Sequence, residues 1–154
     1  MTDCDAVARF CAASAANDLD GMVSTLTLDA ELISPISGRM VFRGRDDLRV
    51  LLAAVYGSTI RNLRWHDRVG TGDLQVVLSD GMIGPLSLTD AMVFEIADDG
   101  LIQRLRPHLR PWLALTLVAL KLGLKMGLHA GVVRRALAST PSIAIDSASV
   151  SKKP

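Results

Sequence analysis

Leu86-Ser87-Leu88-Thr89-Asp90-Ala91-Met92-Val93-Phe94-Glu95-Ile96 decides how this chain reads. At period two, one face carries Leu86, Leu88, Asp90, Met92, Phe94 and Ile96. The other carries Ser87, Thr89, Ala91, Val93 and Glu95. The pattern predicts a long strand with one face in a core and a single carboxylate, Asp90, in the apolar row. Burying a charge is costly unless it is paired, hydrogen-bonded or neutralised. Two arrangements account for Asp90. It is the polar group of a ligand pocket, or it pairs with a buried Arg or accepts backbone N–H groups at a strand bend.

Other strands surround this one. Residues 62–69 set Leu63, Trp65, Asp67 and Val69 against Asn62, Arg64, His66 and Arg68. Residues 74–79 alternate in the same way, and Gly84-Pro85 turns the chain into the central strand. Asp98-Asp99-Gly100 is a hairpin signal leading into a strand over 101–109. There Leu105, Pro107 and Leu109 share one parity, and Arg104, Arg106 and His108 take the other. Upstream, residues 4–16 read as a helix, and Asp18 caps a second helix carrying Leu19, Met22, Val23 and Leu26. Residues 30–43 read as a hairpin, Glu31–Pro35 and Met40–Arg43. Gly44-Arg45-Asp46-Asp47 opens a third helix with Leu48, Leu51, Leu52 and Val55 inward. Helices followed by strands predict an α+β domain, with the helices on one face of a curved antiparallel sheet.

The segment 111–138 is rich in leucine and reads as a helical extension packing on the domain or on a second copy. Lys121, Lys125 and His129 recur every four residues, and so do Gly123, Gly127 and Gly131. The uninterrupted apolar run before Lys121 is too short to span a bilayer. Three readings stay open. The segment is a packed or dimer-forming helix using its glycines for close approach, two short helices broken at the glycines, or a helix on a membrane surface. Residues 139–154, rich in Ser and Ala, read as a flexible tail, and 1–110 as the main domain.

Bulk properties narrow the function classes. A chain of 154 residues is one domain by size and needs no covalent staples. A net charge of +1 and an aromatic content of 4% lack the footprint of a nucleic-acid binder. Cys4 and Cys11 fall on one helical face but roughly 10 Å apart along the axis, too far for a disulfide. They fit a reducing, cytoplasmic setting. The start Met1-Thr2-Asp3-Cys4-Asp5 lacks the pattern of a signal peptide. No zinc-type cluster, phosphate loop or nucleophile elbow is present in the sequence, so no metal or cofactor is expected.

Four stretches carry a family resemblance: Asn17-Asp18-Leu19-Asp20-Gly21-Met22-Val23, Ser34-Pro35, Thr89-Asp90-Ala91-Met92-Val93-Phe94 and Asp99-Gly100-Leu101-Ile102. Over about residues 5–110 the chain resembles the SnoaL-like, NTF2-like superfamily, which includes ketosteroid isomerase, limonene-epoxide hydrolase and polyketide cyclases. Leu109-Arg110-Pro111 and the apolar segment after it resemble the tails of uncharacterised actinobacterial SnoaL-like proteins. The resemblance implies a cone-shaped α+β fold. It has a curved antiparallel sheet, three N-terminal helices, an extra C-terminal helix and a homodimer formed through the sheet. It also implies that the isomerase's general-base Asp falls on Ser34, its oxyanion-hole Tyr on Phe10 and its oxyanion-hole Asp on Asp90. With Ser34 and Phe10 in place of a base and a donor, ketosteroid isomerase activity is not expected. The epoxide hydrolase's Arg falls on Leu88, so that site is not supported either. This fold hosts many chemistries.

In that fold Phe10, Ile33, Ser34, Leu52, Tyr56, Trp65, Leu88, Met92 and Leu105 are expected to line an apolar pocket. Asp90 is its main polar group, with its pKa raised by desolvation. Asp67 is the second candidate, either facing the same cavity as an acid–base partner or solvated near the strand end. His66 and His108 fall on the opposite parity. The expected ligand is a small apolar molecule of steroid, terpenoid or polyketide type. The alternatives are an isomerase, cyclase or hydrolase using Asp90 as acid or hydrogen-bond donor, and a dimeric interaction protein whose cavity its own C-terminal helix fills.

Overall fold

The computed structural model describes residues 5–139. Helix α1 (Ala6–Ala16) starts where the Asp5 side chain accepts from the Ala8 N–H at 3.1 Å. It stops at Asn17, whose φ of 62° takes the left-handed conformation common after helices. Asp18 caps helix α2 (Leu19–Ser24) by accepting from the Gly21 N–H at 2.9 Å. Thr25 Oγ1 then donates to the Met22 carbonyl at 2.6 Å and closes the helix.

Strand β1 (Leu26–Ile33) begins at once, four residues before the hairpin read from the sequence and on a residue assigned there to the second helix. The reason is long-range. Leu26 pairs in parallel with Ile102, a partner that helical periodicity cannot see. Strand β2 (Val41–Arg43) returns antiparallel to β1, and α3 (Arg45–Tyr56) follows. Strands β3 (Arg61–Val69), β4 (Leu74–Ile83) and β5 (Leu86–Ile96) form an antiparallel meander. The last stretch is divided into β6 (Ile102–Arg106) and β7 (Leu109–Arg110). The sheet order is β2-β1-β6-β5-β4-β3, with β7 also on β5. All pairs are antiparallel except β1 with β6. The result is an α+β fold with a curved, unclosed seven-stranded sheet whose concave face holds the core.

Phe10, Leu26, Leu48, Leu52, Phe94 and Leu105 are fully enclosed in that core. The Phe10 ring meets Phe94 edge-on at 5.6 Å and Tyr56 at 6.3 Å. The outer face carries a ladder of charges across four strands. Arg43 and Arg104 both bond the buried Glu31, and Arg104 and Arg106 both bond Glu95, at 2.6 and 2.9 Å.

The C-terminal segment forms α4 (Trp112–Met126), a tight turn of helix at Gly127–His129, and α5 (Ala130–Ala138). Ala114 and Val118 pack on Ile60, Ile83 and Leu88, while Met126, Val132 and Ala136 join the main core. Lys125 Nζ donates to Thr59 Oγ1 at 3.0 Å and also to Ser58. Arg135 grips Asp47 through two bonds, at 2.9 and 2.5 Å. A Cβ at Gly123 or Gly127 would meet nothing within 4 Å, so their spacing serves no close helix–helix approach among the described residues. Cys4 and the stretch 140–154 lie outside the described residues, and with them the readings made there. Cys11 is a half-buried thiol whose pKa burial pushes up to about 12.

Candidate ligand-binding site

The site begins with an interruption in a strand. Proline has no N–H, so Pro107 cannot donate to β5, and between β6 and β7 the ladder thins to one long bond, from the Ala91 N–H to the His108 carbonyl at 3.4 Å. Pairing resumes where Asp90 faces Leu109. In the gap the His108 N–H donates to Asp90 Oδ1 at 2.7 Å. Asp90 thus accepts a backbone N–H at a strand bend, and no Arg pairs with it among the described residues. Asp90 Oδ2 has no hydrogen-bond partner among the described residues. The His108 ring turns away, its Nδ1 lying 3.1 Å from the carbonyls of both Ala91 and Arg106.

Asp90 is buried between Leu88 and Met92. Desolvation pushes its pKa up to about 6, against the lowering effect of the His108 N–H and the nearby His108 charge. Below about pH 6 the carboxyl is mostly protonated, and the proton sits on Oδ2 because Oδ1 is already accepting.

A cavity of about 60 Å³ opens beside it, lined by Leu32, Ser34, Phe42, Leu52, Tyr56, Asp90 and Met92 among others. Helix α4 supplies the remaining wall through Val118 and Leu122. Pockets for drug-sized ligands run to about 300–1,000 Å³, so with α4 seated there is room only for water-sized guests. A second, open groove of about 490 Å³ lies between β2 and the α4–α5 elbow, and it shares Ser34, Ile36, Phe42 and Leu122 with the cavity. Tyr56 is buried on the cavity wall, and its pKa is raised by burial first and by the Asp90 charge second. Ser34 Oγ accepts from the Ile36 N–H at 3.3 Å.

The cavity thus gathers Ser34, Leu52, Tyr56, Asp90 and Met92 from the sequence-derived set. The rest lie elsewhere. Phe10 and Leu105 are sealed inside the core, and Leu88 packs under α4. Trp65 is half-buried on β3, and its Nε1 donates to Ser14 Oγ at 2.8 Å. Ile33 has the parity opposite to Leu32, and it is Leu32 that faces the cavity. Asp67 takes the solvated one of its two readings. The register shifts between Trp65 and Arg68, so the alternation that pointed Asp67 inward with Trp65 fails. Its side chain is 76% exposed and bonds His66 Nδ1 at 3.0 Å.

Sequence reasoning missed Val118 and Leu122. A helix apolar on nearly every side gives no periodic signal for which face is covered. Among the described residues no group of His, Cys, Asp or Glu is placed to hold a metal ion.

Comparison with known proteins follows the same outline. A family model described as SnoaL-like domain matches residues 7–105. An uncharacterised protein with a cystatin-like fold from Silicibacter pomeroyi superposes with a TM-score of 0.78 at 20% identity, covering 85% of this chain and 93% of that one. A steroid delta-isomerase from Pseudomonas aeruginosa gives 0.73 at 20% identity, covering 82% and 92%. An NTF-2 like protein of unknown function from Burkholderia xenovorans gives 0.60 at 20% identity, covering 68% and 79%. At these identities the likeness is one of fold. No curated protein matches the chain.

Proposed function

We propose, on the premise that this chain belongs to the SnoaL-like domain family, that it binds a small apolar molecule bearing one hydrogen-bond acceptor. The ligand is of steroid, terpenoid or polyketide type, and it sits against Asp90. One observation carries this reading: a buried carboxyl with one oxygen held by the His108 N–H and the other unpartnered, on the wall of an otherwise apolar cavity. Protonated, that second oxygen donates to a ketone or phenol oxygen. A steroid delta-isomerase of the same fold supports the ligand class.

Binding, rather than turnover, is the function favoured. The cavity wall holds no second carboxylate and no His among the described residues. Ser34 cannot act as a base at neutral pH. Because the cavity is small, a ligand enters only when α4 lifts, and the adjoining groove is its route. In the same reading the outer face of the sheet, with Leu78, Ala91 and Val93 between His66, Asp80 and Arg110, is the homodimer surface.

The test is a thermal-shift titration with apolar ketones and phenols of steroid size. Wild-type affinity is expected to fall as pH rises through about 6. Asp90→Asn keeps a donor and the acceptor for His108, so its affinity is expected to be independent of pH. Asp90→Leu is expected to lose at least about tenfold. No shift with any compound, in wild type or in a variant with α4 loosened, favours the other reading. In that one α4 permanently fills the cavity of a non-catalytic interaction protein, which the Val118 and Leu122 contacts also support.

A further inference from the structure

The outward side of α4 has no partner among the described residues, and it is apolar. Trp112, Leu120, Leu124 and Leu128 are 72%, 63%, 80% and 87% exposed. At about 100° per residue, Trp112, Leu120 and Leu124 fall on α4 with Leu113 and Gly123 on an arc of roughly 120° interrupted only by Thr116, and Leu128 continues the patch in the turn after the helix. The stretch Trp112–Ala138 is long and apolar enough to cross a membrane by length and composition, and only 17% of its most apolar window is buried. A core helix would be mostly covered.

Charge is distributed to match. Between Asp99 and Asp146 the chain has no Asp or Glu, while α4 and α5 carry Lys121, Lys125, Arg134 and Arg135. Residues 111–154 hold six Lys or Arg and one acid, a net of +5, which leaves −4 on residues 1–110 of a chain whose total is +1. Lys121 lies beside the apolar arc, where a long basic side chain can lie along it and keep its head in the polar layer. Lys121 and Arg134 have no ion-pair partner among the described residues.

We propose that this face of α4 docks the protein on an anionic lipid bilayer, with the helix in the plane of the interface. The leucines enter the acyl boundary, Trp112 sits at headgroup depth, and Lys121 meets lipid phosphates. The helix does not span. Spanning would strip Val118 and Met126 from the core and break the Lys125 and Arg135 contacts with Thr59 and Asp47, whereas docking keeps them all. Docking also sets the groove that adjoins the Asp90 cavity near the apolar phase, since Gly123, Gly127 and Leu137 line the groove.

The test is co-sedimentation of the full chain with phosphatidylcholine vesicles, with and without about a third phosphatidylglycerol. Binding to the anionic vesicles is expected to exceed that to neutral ones at least about tenfold and to weaken in high salt. Trp112 emission is expected to shift to the blue on the vesicles, and Trp112→Phe to lose that shift. Leu120→Ser with Leu124→Ser changes only exposed side chains, so folding is unaffected and vesicle binding is lost. Alkaline carbonate releases the bound protein. No sedimentation with anionic vesicles overturns the proposal. So does resistance to carbonate, which means a spanning helix. So does a double variant that changes the oligomeric state but not vesicle binding, which means that the face belongs to a second copy.

Discussion

The backbone N–H of His108 donates to Asp90 Oδ1 at 2.7 Å, across the gap that Pro107 opens between β6 and β7. That bond uses one carboxyl oxygen for structure and leaves the other without a hydrogen-bond partner among the described residues. It makes Asp90 both the clasp of a strand break and the polar centre of an apolar cavity.

A pH dependence of stability follows. The pKa of Asp90 is about 6 in the folded chain against an ordinary 3.8. Between those values the folded state holds a proton that the unfolded state has released. Stability from this group is therefore greatest at the acid end, falls as pH rises through about 6, and is flat above. The span is at most about 3 kcal/mol. Asp90→Asn keeps the acceptor for His108 and removes the slope. Urea unfolding of both proteins from about pH 4 to pH 8 checks this, with the variant expected to be the more stable at neutral pH.

The cavity wall supplied by α4 gives a second expectation. Leu122→Ala is expected to cost about 2 kcal/mol and to enlarge the cavity toward the groove. If α4 is a lid, a fluorescent apolar probe will bind at least severalfold more tightly to the variant. A loss of stability with no gain in probe binding will mean that the helix is a plug.

Much of this was legible beforehand, and the failures have specific causes. Strand β5 was readable to its ends because its alternation is unbroken and turn residues bound it. Asp90 stood out because it is the one charge in that row. Parity left Asp67 with two readings because it carries no information across a bulge, and the extra residue between Trp65 and Arg68 leaves no mark in composition. Leu26 misled because its strand partner, Ile102, is remote in sequence. The cavity's outer wall was invisible for a third reason. Helix α4 is apolar on nearly every side, so only the packed structure shows that Val118 and Leu122 turn inward while Leu120 and Leu124 do not.

The outer ladder rests on Glu31, which bonds Arg43 and Arg104 while buried. Glu31→Ala takes one carboxylate from Arg43 and Arg104, while Arg104 keeps Glu95, and is expected to destabilise by about 1–3 kcal/mol. Arg43→Ala, which leaves Glu31 paired with Arg104, is expected to cost less. Equilibrium unfolding of the two variants at one pH compares them.

Gly70 joins β3 to β4 at a φ of +95°, and a Cβ there would lie 2.5 Å from the Leu74 carbonyl oxygen. Backbone cannot yield as a flexible side chain can. Gly70→Ala is expected to destabilise by at least about 2 kcal/mol, whereas Gly72→Ala, at φ +69° in open space, is expected to cost about 1. Thermal unfolding distinguishes them.

The most direct measurement is a carbon-detected NMR titration of the Asp90 side-chain carboxyl, free and saturated with an apolar phenol or ketone. A ligand site centred on Asp90 gives a midpoint near 6 in the free protein, moving upward when a ligand accepts the carboxyl proton. A midpoint near the ordinary aspartate value, unmoved by any ligand, would contradict it and leave Asp90 only the clasp of the β6–β7 break.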